Sequence, residues 1–333
     1  MIIGVASVRS VRLQDDLERH GNRPLWSYCW GDLPRSPVNS LFKSQPLFSP
    51  VNSILLPVCG GMIELGQPKK TEVTMALFRI DHSSQSVGTN LPLNLILPNP
   101  AALQEKDLSS FDILFLLHGR SDDGSAWQRY TNIETLAHKH ELVVVMPSVG
   151  RSFYTDMDNG QAFFTYLTEE LPEYLRKTFR LETPREKMLV AGLSMGGYGA
   201  FKLAFLRPDM FCAACSLSGS LLNTKLFGKS LSEEEIKWEH ALDVIFGGLE
   251  NLPGSENDPT AWIEMGAADP TRLPSLHMAC GLQDDLLPTN RWFYQAATAA
   301  GLDIRYVEAE GGHEWLFWGE HLKRWLQVVG ESS

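Results

Sequence analysis

Residues 190–199, Val-Ala-Gly-Leu-Ser-Met-Gly-Gly-Tyr-Gly, constrain the fold of this chain more than any other stretch. Gly192-Leu193-Ser194-Met195-Gly196 fits G-x-S-x-G. The apolar run 188–191 before it reads as a buried strand, and residues 198–206 after it read as a helix stopped before Pro208. A strand that turns this sharply into a helix holds its serine in a strained conformation, with the hydroxyl exposed at the helix N-terminus. Backbone N–H groups there stabilise an anion. Glycines two before and two after the serine let strand and helix approach closely.

Strand and helix signals alternate from Met75 onward. Residues 75–80 and 91–97 read as an antiparallel pair. Residues 113–117 and 142–146 are continuous apolar runs, as expected for strands buried on both faces. Helical patterns follow at about 131–140 and over 160–179, where Pro172 marks a turn or kink. Strands at 212–217, 276–280 and 304–308 alternate with helices at 289–300 and 315–328. This predicts an α/β chain with a mostly parallel central sheet covered by helices on both faces. Ligands on such sheets sit at the carboxyl ends of the strands. Residues 220–272 interrupt the alternation as an insertion of lid size, with a charged amphipathic helix at 232–246 and a loop at 247–258.

Residues 1–74 differ from the rest. Prolines at 24, 34, 37, 46, 50, 57 and 68 punctuate them, and no helical or strand period persists. They read as a disordered or loosely attached extension, leaving 75–333 as the catalytic domain. A translation start at Met75 is a further expectation, because codons for Thr71-Glu72-Val73 can contain a ribosome-binding GGAGGT.

The formal net charge of -11, with no Lys/Arg run, argues against nucleic acid or an anionic membrane as partner. No window approaches the ~18 consecutive apolar residues of a membrane span, and the N-terminus does not read as a signal peptide. An odd count of five cysteines favours reduced thiols and a cytoplasmic location.

A serine nucleophile needs a base that a third group orients. After Ser194 the histidines are His240, His277, His313 and His321. His277 falls in a strand, His321 in the last helix and His240 in the insertion. His313 falls in the glycine-marked loop Glu310-Gly311-Gly312-His313-Glu314 after the last strand, where a base can reach the elbow. The acid is expected just past the strand ending at Cys280, in Gly281-Leu282-Gln283-Asp284-Asp285. Spacing favours Asp284 over Asp285 only modestly. Two backbone N–H groups must hold the oxyanion. Met195 supplies one, and Arg120, after Leu116-Leu117-His118-Gly119, is the candidate for the other. His118 also reads as a structural histidine bonding within its loop. Trp127, Phe153 and Tyr154 lie on loops near the expected site, as walls of a small acyl pocket or as core.

Together these segments resemble the putative esterase family of α/β-hydrolases, which includes tributyrin esterases and S-formylglutathione hydrolases and, more distantly, mycolyltransferases. The resemblance spans nearly all of residues 75–330. It rests on Leu116–Gly119, Ser152-Phe153-Tyr154-Thr155-Asp156, Glu170-Leu171-Pro172, Gly192–Gly199 and Cys280-Gly281-x-x-Asp284, and it is strongest toward the tributyrin-esterase branch. It implies an α/β-hydrolase fold, Asp284 as the acid, and oxyanion donors at Met195 and Arg120. Loop 120–127 lacks the cysteine that S-formylglutathione hydrolases often carry there. The expected activity is therefore a cytoplasmic serine carboxylesterase for short acyl esters, without cofactor or metal. An S-formylglutathione hydrolase-type thioesterase is the alternative. An acyltransferase and a non-catalytic binding protein stand further off. The expected partner is a small acyl ester or thioester, and a homo-oligomer is left open.

Overall fold

Five stretches of this chain carry almost no polar side chain, and they become the centre of one twisted sheet. The computed structural model describes residues 75–98, 107–221 and 242–331, together with the strand backbone of 53–58 and 61–66. In chain order the strands are β1 (Ser53–Val58), β2 (Gly61–Gly66), β3 (Met75–Ser84), β4 (Thr89–Pro98), β5 (Asp112–Leu117), β6 (Leu142–Pro147), β7 (Met188–Leu193), β8 (Ala213–Leu217), β9 (Ser275–Gly281) and β10 (Ile304–Ala309). β3 to β10 form an eight-stranded sheet in the order β10-β9-β8-β7-β5-β6-β4-β3. β3 and β4 pair antiparallel, as do β4 and β6, and the other neighbours run parallel.

Helices cover both faces. On one face lie α3 (Phe163–Thr165), α4 (Leu171–Phe179), α5 (Met195–Leu206), α6 (Pro259–Ala268) and α7 (Leu287–Ala299). Their side chains, such as Leu171, Phe201, Trp262 and Phe293, pack with Phe115, Val145, Val190 and Met278. On the other face α1 (Ala126–Tyr130), α2 (Ile133–Lys139) and α8 (Trp315–Gly330) bring Trp127, Leu136, Phe317 and Leu322 against Leu114, Val144, Leu189 and Ala213. Alternate strand residues thus feed two separate cores, which is why the central strands read as unbroken apolar runs.

Three expectations change. A π-helical stretch, Tyr166–Glu170, links α3 to α4 immediately before Pro172. Proline brings no amide to the ladder, and a widened turn accommodates that loss better than a sharp kink. Glu170 at its end accepts hydrogen bonds from Ser84 Oγ, Gln85 N and Ser86 N, fastening the β3–β4 turn. Second, residues 220–272 are not wholly an insertion. Their last part is α6, the crossover helix between the parallel strands β8 and β9. Asp258 caps it by accepting from the Thr260 amide at 2.8 Å, and Pro259 sits in its first turn. Of the helix expected at 232–246, residues 242–246 are helical and 232–241 lie outside the described residues. Third, regular structure begins before Met75. β1 and β2 form an antiparallel hairpin of their own, with Ser53 opposite Gly66 and Val58 opposite Gly61. Residues 1–70 and 71–333 form two separate units. Among the described residues, no helix is long and apolar enough to cross a membrane.

Candidate active site

Strand β7 ends at Leu193 and α5 begins at Met195, so the chain must reverse within one residue. Ser194 does this at φ 54° and ψ -117°, a conformation costly for any residue with a side chain. It is held there by neighbours. Its N–H donates to Leu217 O at 2.9 Å, and its own carbonyl accepts from Tyr198 N and from Ser220 N. Gly196 is required next to it: a Cβ there would meet Leu117 O at 2.6 Å and His118 O at 2.8 Å. The helix N-terminus is thereby pressed onto the loop after β5.

The candidate acid and base, Asp284 and His313, come from the loops after β9 and β10. His313 Nδ1 faces Asp284, 3.0 Å from Oδ2 and 3.1 Å from Oδ1. A carboxylate only accepts, so Nδ1 carries the proton and Nε2 is left without one. Asp284, not Asp285, makes this contact; its side chain is fully buried, whereas that of His313 is 37% exposed. Burial pushes the Asp284 carboxyl up. Hydrogen bonds from His313, Ser218 and the Leu286 amide outweigh that and hold it below its usual range, so it stays ionised. The two loops are fastened together: Leu282 N–H donates to Ala309 O, Gln283 N–H to Gly311 O, and Gly311 N–H to Gln283 Oε1.

Three contributors escape motif reading. Ser218, at the end of β8, bonds the Asp284 carboxylate and accepts from Trp318 Nε1 at 3.0 Å. The Trp318 ring stands edge-on to His313 with centroids 4.8 Å apart. Gln283 supplies the loop clasp just given. Ser218 sits at φ 47°, which sets it apart from an ordinary strand-end serine. That dihedral is invisible in the sequence, although the adjoining Gly219 marks a turn. The segment Leu217–Ser220 therefore holds Ser194 through backbone bonds and Asp284 through a side chain, bringing the elbow and the acid to the same end of the sheet.

The loop after β5 lies against the nucleophile: a Cβ on Gly119 would be 3.8 Å from Ser194 Cβ. His118 is fully buried in it. Its Nδ1 lies 2.7 Å from Gly119 O, and the Val149 amide donates to its Nε2 at 3.1 Å. These partners fix the neutral Nδ1–H tautomer, and burial keeps its pKa below the usual value. The alternative of a structural histidine is thus the one the geometry supports. Met195 is the first residue of α5, where amides have no partner within the helix. The Arg120 side chain is exposed, and burial of part of it together with Arg151 lowers its pKa.

Of the two readings of Trp127, Phe153 and Tyr154, pocket wall or core, burial favours the core. Trp127, Phe153 and Tyr154 are all buried. Trp127 Nε1 donates to Leu117 O at 2.9 Å, and Tyr154 OH donates to His118 O at 2.8 Å. Phe153 packs edge-on against Tyr198 and Phe246. Left-handed backbone at Phe153 and Tyr154 (φ 52° and 56°) turns both rings inward. The other histidines are elsewhere: His277 bonds Ser275 on β9, His321 stacks on Phe317 in α8, and His240 lies outside the described residues.

Comparison with known proteins agrees with this architecture. The model of the family described as putative esterase matches residues 84–327. An acetyl esterase of Caldicellulosiruptor saccharolyticus is 31% identical over 267 residues, covering 77% of this chain and all of that protein. Among solved structures, the fluorophosphonate-binding serine hydrolase F of Staphylococcus aureus superposes with a TM-score of 0.68 at 29% identity, over 77% of this chain and 98% of that one. The S-formylglutathione hydrolase of the same organism gives 0.67 at 29% identity, over 77% and 99%. With a mostly parallel sheet, a serine elbow and a carboxylate–imidazole pair at its carboxyl end, this chain belongs to the putative esterase family of α/β-hydrolases and is a carboxylic ester hydrolase.

Proposed function

We propose that this enzyme hydrolyses short-chain acyl esters, of the acetate to tributyrin class, through an acyl-enzyme on Ser194. The observation that carries the reading is the strained Ser194 (φ 54°) at the N-terminus of α5, set against the Gly119 loop, at the same sheet end as the Asp284–His313 pair. Ser194 Oγ attacks the ester carbonyl while His313 Nε2 takes its proton. Asp284 holds the imidazole in the right tautomer and stabilises the imidazolium. The amides of Met195 and Arg120 bind the oxyanion. Collapse of the tetrahedral intermediate expels the alcohol, which takes the proton from His313. Water then attacks the acyl-enzyme by the same route and releases the acid.

The acetyl esterase relative supports a small acyl group. A second reading, thioester hydrolysis, is favoured by the likeness to the S-formylglutathione hydrolase of Staphylococcus aureus. A cytoplasmic location is supported by free thiols at Cys212, Cys215 and Cys280. The test is an initial-rate series on p-nitrophenyl acetate, butyrate and octanoate and on S-formylglutathione, with Ser194→Ala as control. Fast C2–C4 ester turnover is expected, with kcat falling on the order of 10⁶-fold in the variant. A wild-type rate in Ser194→Ala removes the reading. A rate far higher on the thioester moves it to thioester hydrolysis.

A further inference from the structure

We propose that His118, Tyr154 and Trp127 are positioning residues that lock the oxyanion loop by capturing three consecutive carbonyls, which aims the Arg120 amide at the reacting oxygen. This rests on the assignment of Ser194 as nucleophile and of Arg120 N–H as donor.

Leu117 O accepts from Trp127 Nε1 at 2.9 Å, His118 O accepts from Tyr154 OH at 2.8 Å, and Gly119 O accepts from His118 Nδ1 at 2.7 Å. A trans peptide is planar, so its N–H points opposite to its C=O. Each captured carbonyl therefore fixes the amide of the next residue. Leu117 O fixes His118 N–H, His118 O fixes Gly119 N–H, and Gly119 O fixes Arg120 N–H. The grip comes from both sides of the sheet, since Trp127 belongs to the core beneath α1, α2 and α8 and Tyr154 to the core beneath α3 to α7. No peptide of the loop can rotate without leaving a buried carbonyl and a buried donor unpaired, which proteins strongly avoid.

The holders are themselves held. The Val149 amide pins the His118 ring at Nε2. The Tyr154 ring lies on Gly199 of the nucleophile helix, where a Cβ would be 2.5 Å from Tyr154 Cγ. One aromatic thus spans the helix that carries the nucleophile and the loop that carries the oxyanion donor. Such preorganisation acts only on charge that develops in the transition state, so loosening it lowers kcat and leaves KM.

The experiment compares Tyr154→Phe and His118→Phe with Tyr198→Phe, a control that removes an equally buried hydroxyl bonded to Asn257 O instead. Turnover of p-nitrophenyl acetate is measured per active site titrated with a fluorophosphonate. The second-order rate constant of phosphonylation is measured too, because the phosphoryl oxygen uses the same donors. Tyr154→Phe is expected to lower both kcat and the phosphonylation constant by ~10- to 100-fold, with KM changed less than about threefold. His118→Phe is expected to lower both constants in the same direction, although Gly119 O keeps a second donor, the Asp122 amide at 3.1 Å. If that variant does not fold, Tyr154→Phe decides alone. Tyr198→Phe is expected to keep both constants near wild type. Wild-type constants in Tyr154→Phe overturn the clamp while leaving Ser194 as nucleophile. Equal losses in Tyr154→Phe and Tyr198→Phe also overturn it. A wild-type protein that is neither phosphonylated nor active on any ester overturns the nucleophile assignment, and the clamp with it.

Discussion

Ser218 shows how a single hydroxyl connects packing to chemistry. It accepts from the buried Trp318 indole and donates to Asp284, and Trp318 in turn stands against His313. Ser218→Ala leaves an indole N–H without its partner in the interior and takes one donor from a buried carboxylate. The expected outcome is a stability loss of ~1–3 kcal/mol by denaturant titration, together with a fall in kcat on p-nitrophenyl acetate of about tenfold, because a hydrogen bond to an ionised group is among the stronger ones. Unchanged kcat would confine Ser218 to a packing role. Ser194 and His313 stand out as candidates in the sequence because a local backbone device, a G-x-S-x-G turn or a glycine-marked loop, marks each. Ser218 does not, since the partner that gives it meaning lies 100 residues away in α8. Trp127 and Tyr154 read as near the site, with pocket wall and core both open. Sequence distance places a ring beside a loop, but it does not tell whether the ring faces a ligand or a carbonyl.

Helix α5 shows the same coupling between elements. It is buried almost all round, from Met195 to Phe205, so its apolar pattern has no polar face to reveal its orientation. Its position is set by small residues where other elements approach, and Gly199 is where the Tyr154 ring lies against it. Alanine raises helix propensity over glycine by ~1 kcal/mol. Against that gain, a methyl at 2.5 Å from a buried aromatic carbon forces a rigid ring to move, and overpacking of this kind costs ~1–3 kcal/mol. Gly199→Ala is therefore expected to lower the thermal midpoint and to slow turnover, with the kinetic loss shared with Tyr154→Phe in a double-mutant cycle. Additive losses would show that the two residues act separately. The central strands and most helices were readable because burial on both faces writes an unbroken apolar run. α6 was missed because its cap, Asp258-Pro259, follows a stretch rich in Gly, Pro, Asn and Asp that reads as loop. The β1–β2 hairpin was missed because the surrounding prolines outweighed its signal, Gly60-Gly61 flanked by apolar residues.

At the scale of the whole molecule, the boundary near residue 70 separates two questions that the sequence joins. Residues 1–70 and 71–333 form separate units. The family match begins at residue 84, and the acetyl esterase relative is covered completely by 77% of this chain. Every residue assigned a chemical role, from Arg120 to His313, lies in the second unit, as do both hydrophobic cores described and the sheet from β3 to β10. A unit of roughly 260 residues buries about three-quarters of the surface its unfolded chain exposes, enough to fold without outside support. Nothing the catalytic mechanism requires is then expected from the first seventy residues. A chain beginning at Thr71 is expected to unfold in one cooperative transition near the midpoint of the full chain and to keep its kcat and KM on p-nitrophenyl acetate. Thermal denaturation and steady-state kinetics of the two lengths check this. A truncated chain that aggregates, or that folds but loses kcat, would make the N-terminal segment part of the catalytic unit. Retained activity would instead give that segment, with its β1–β2 hairpin, a role apart from the chemistry at Ser194.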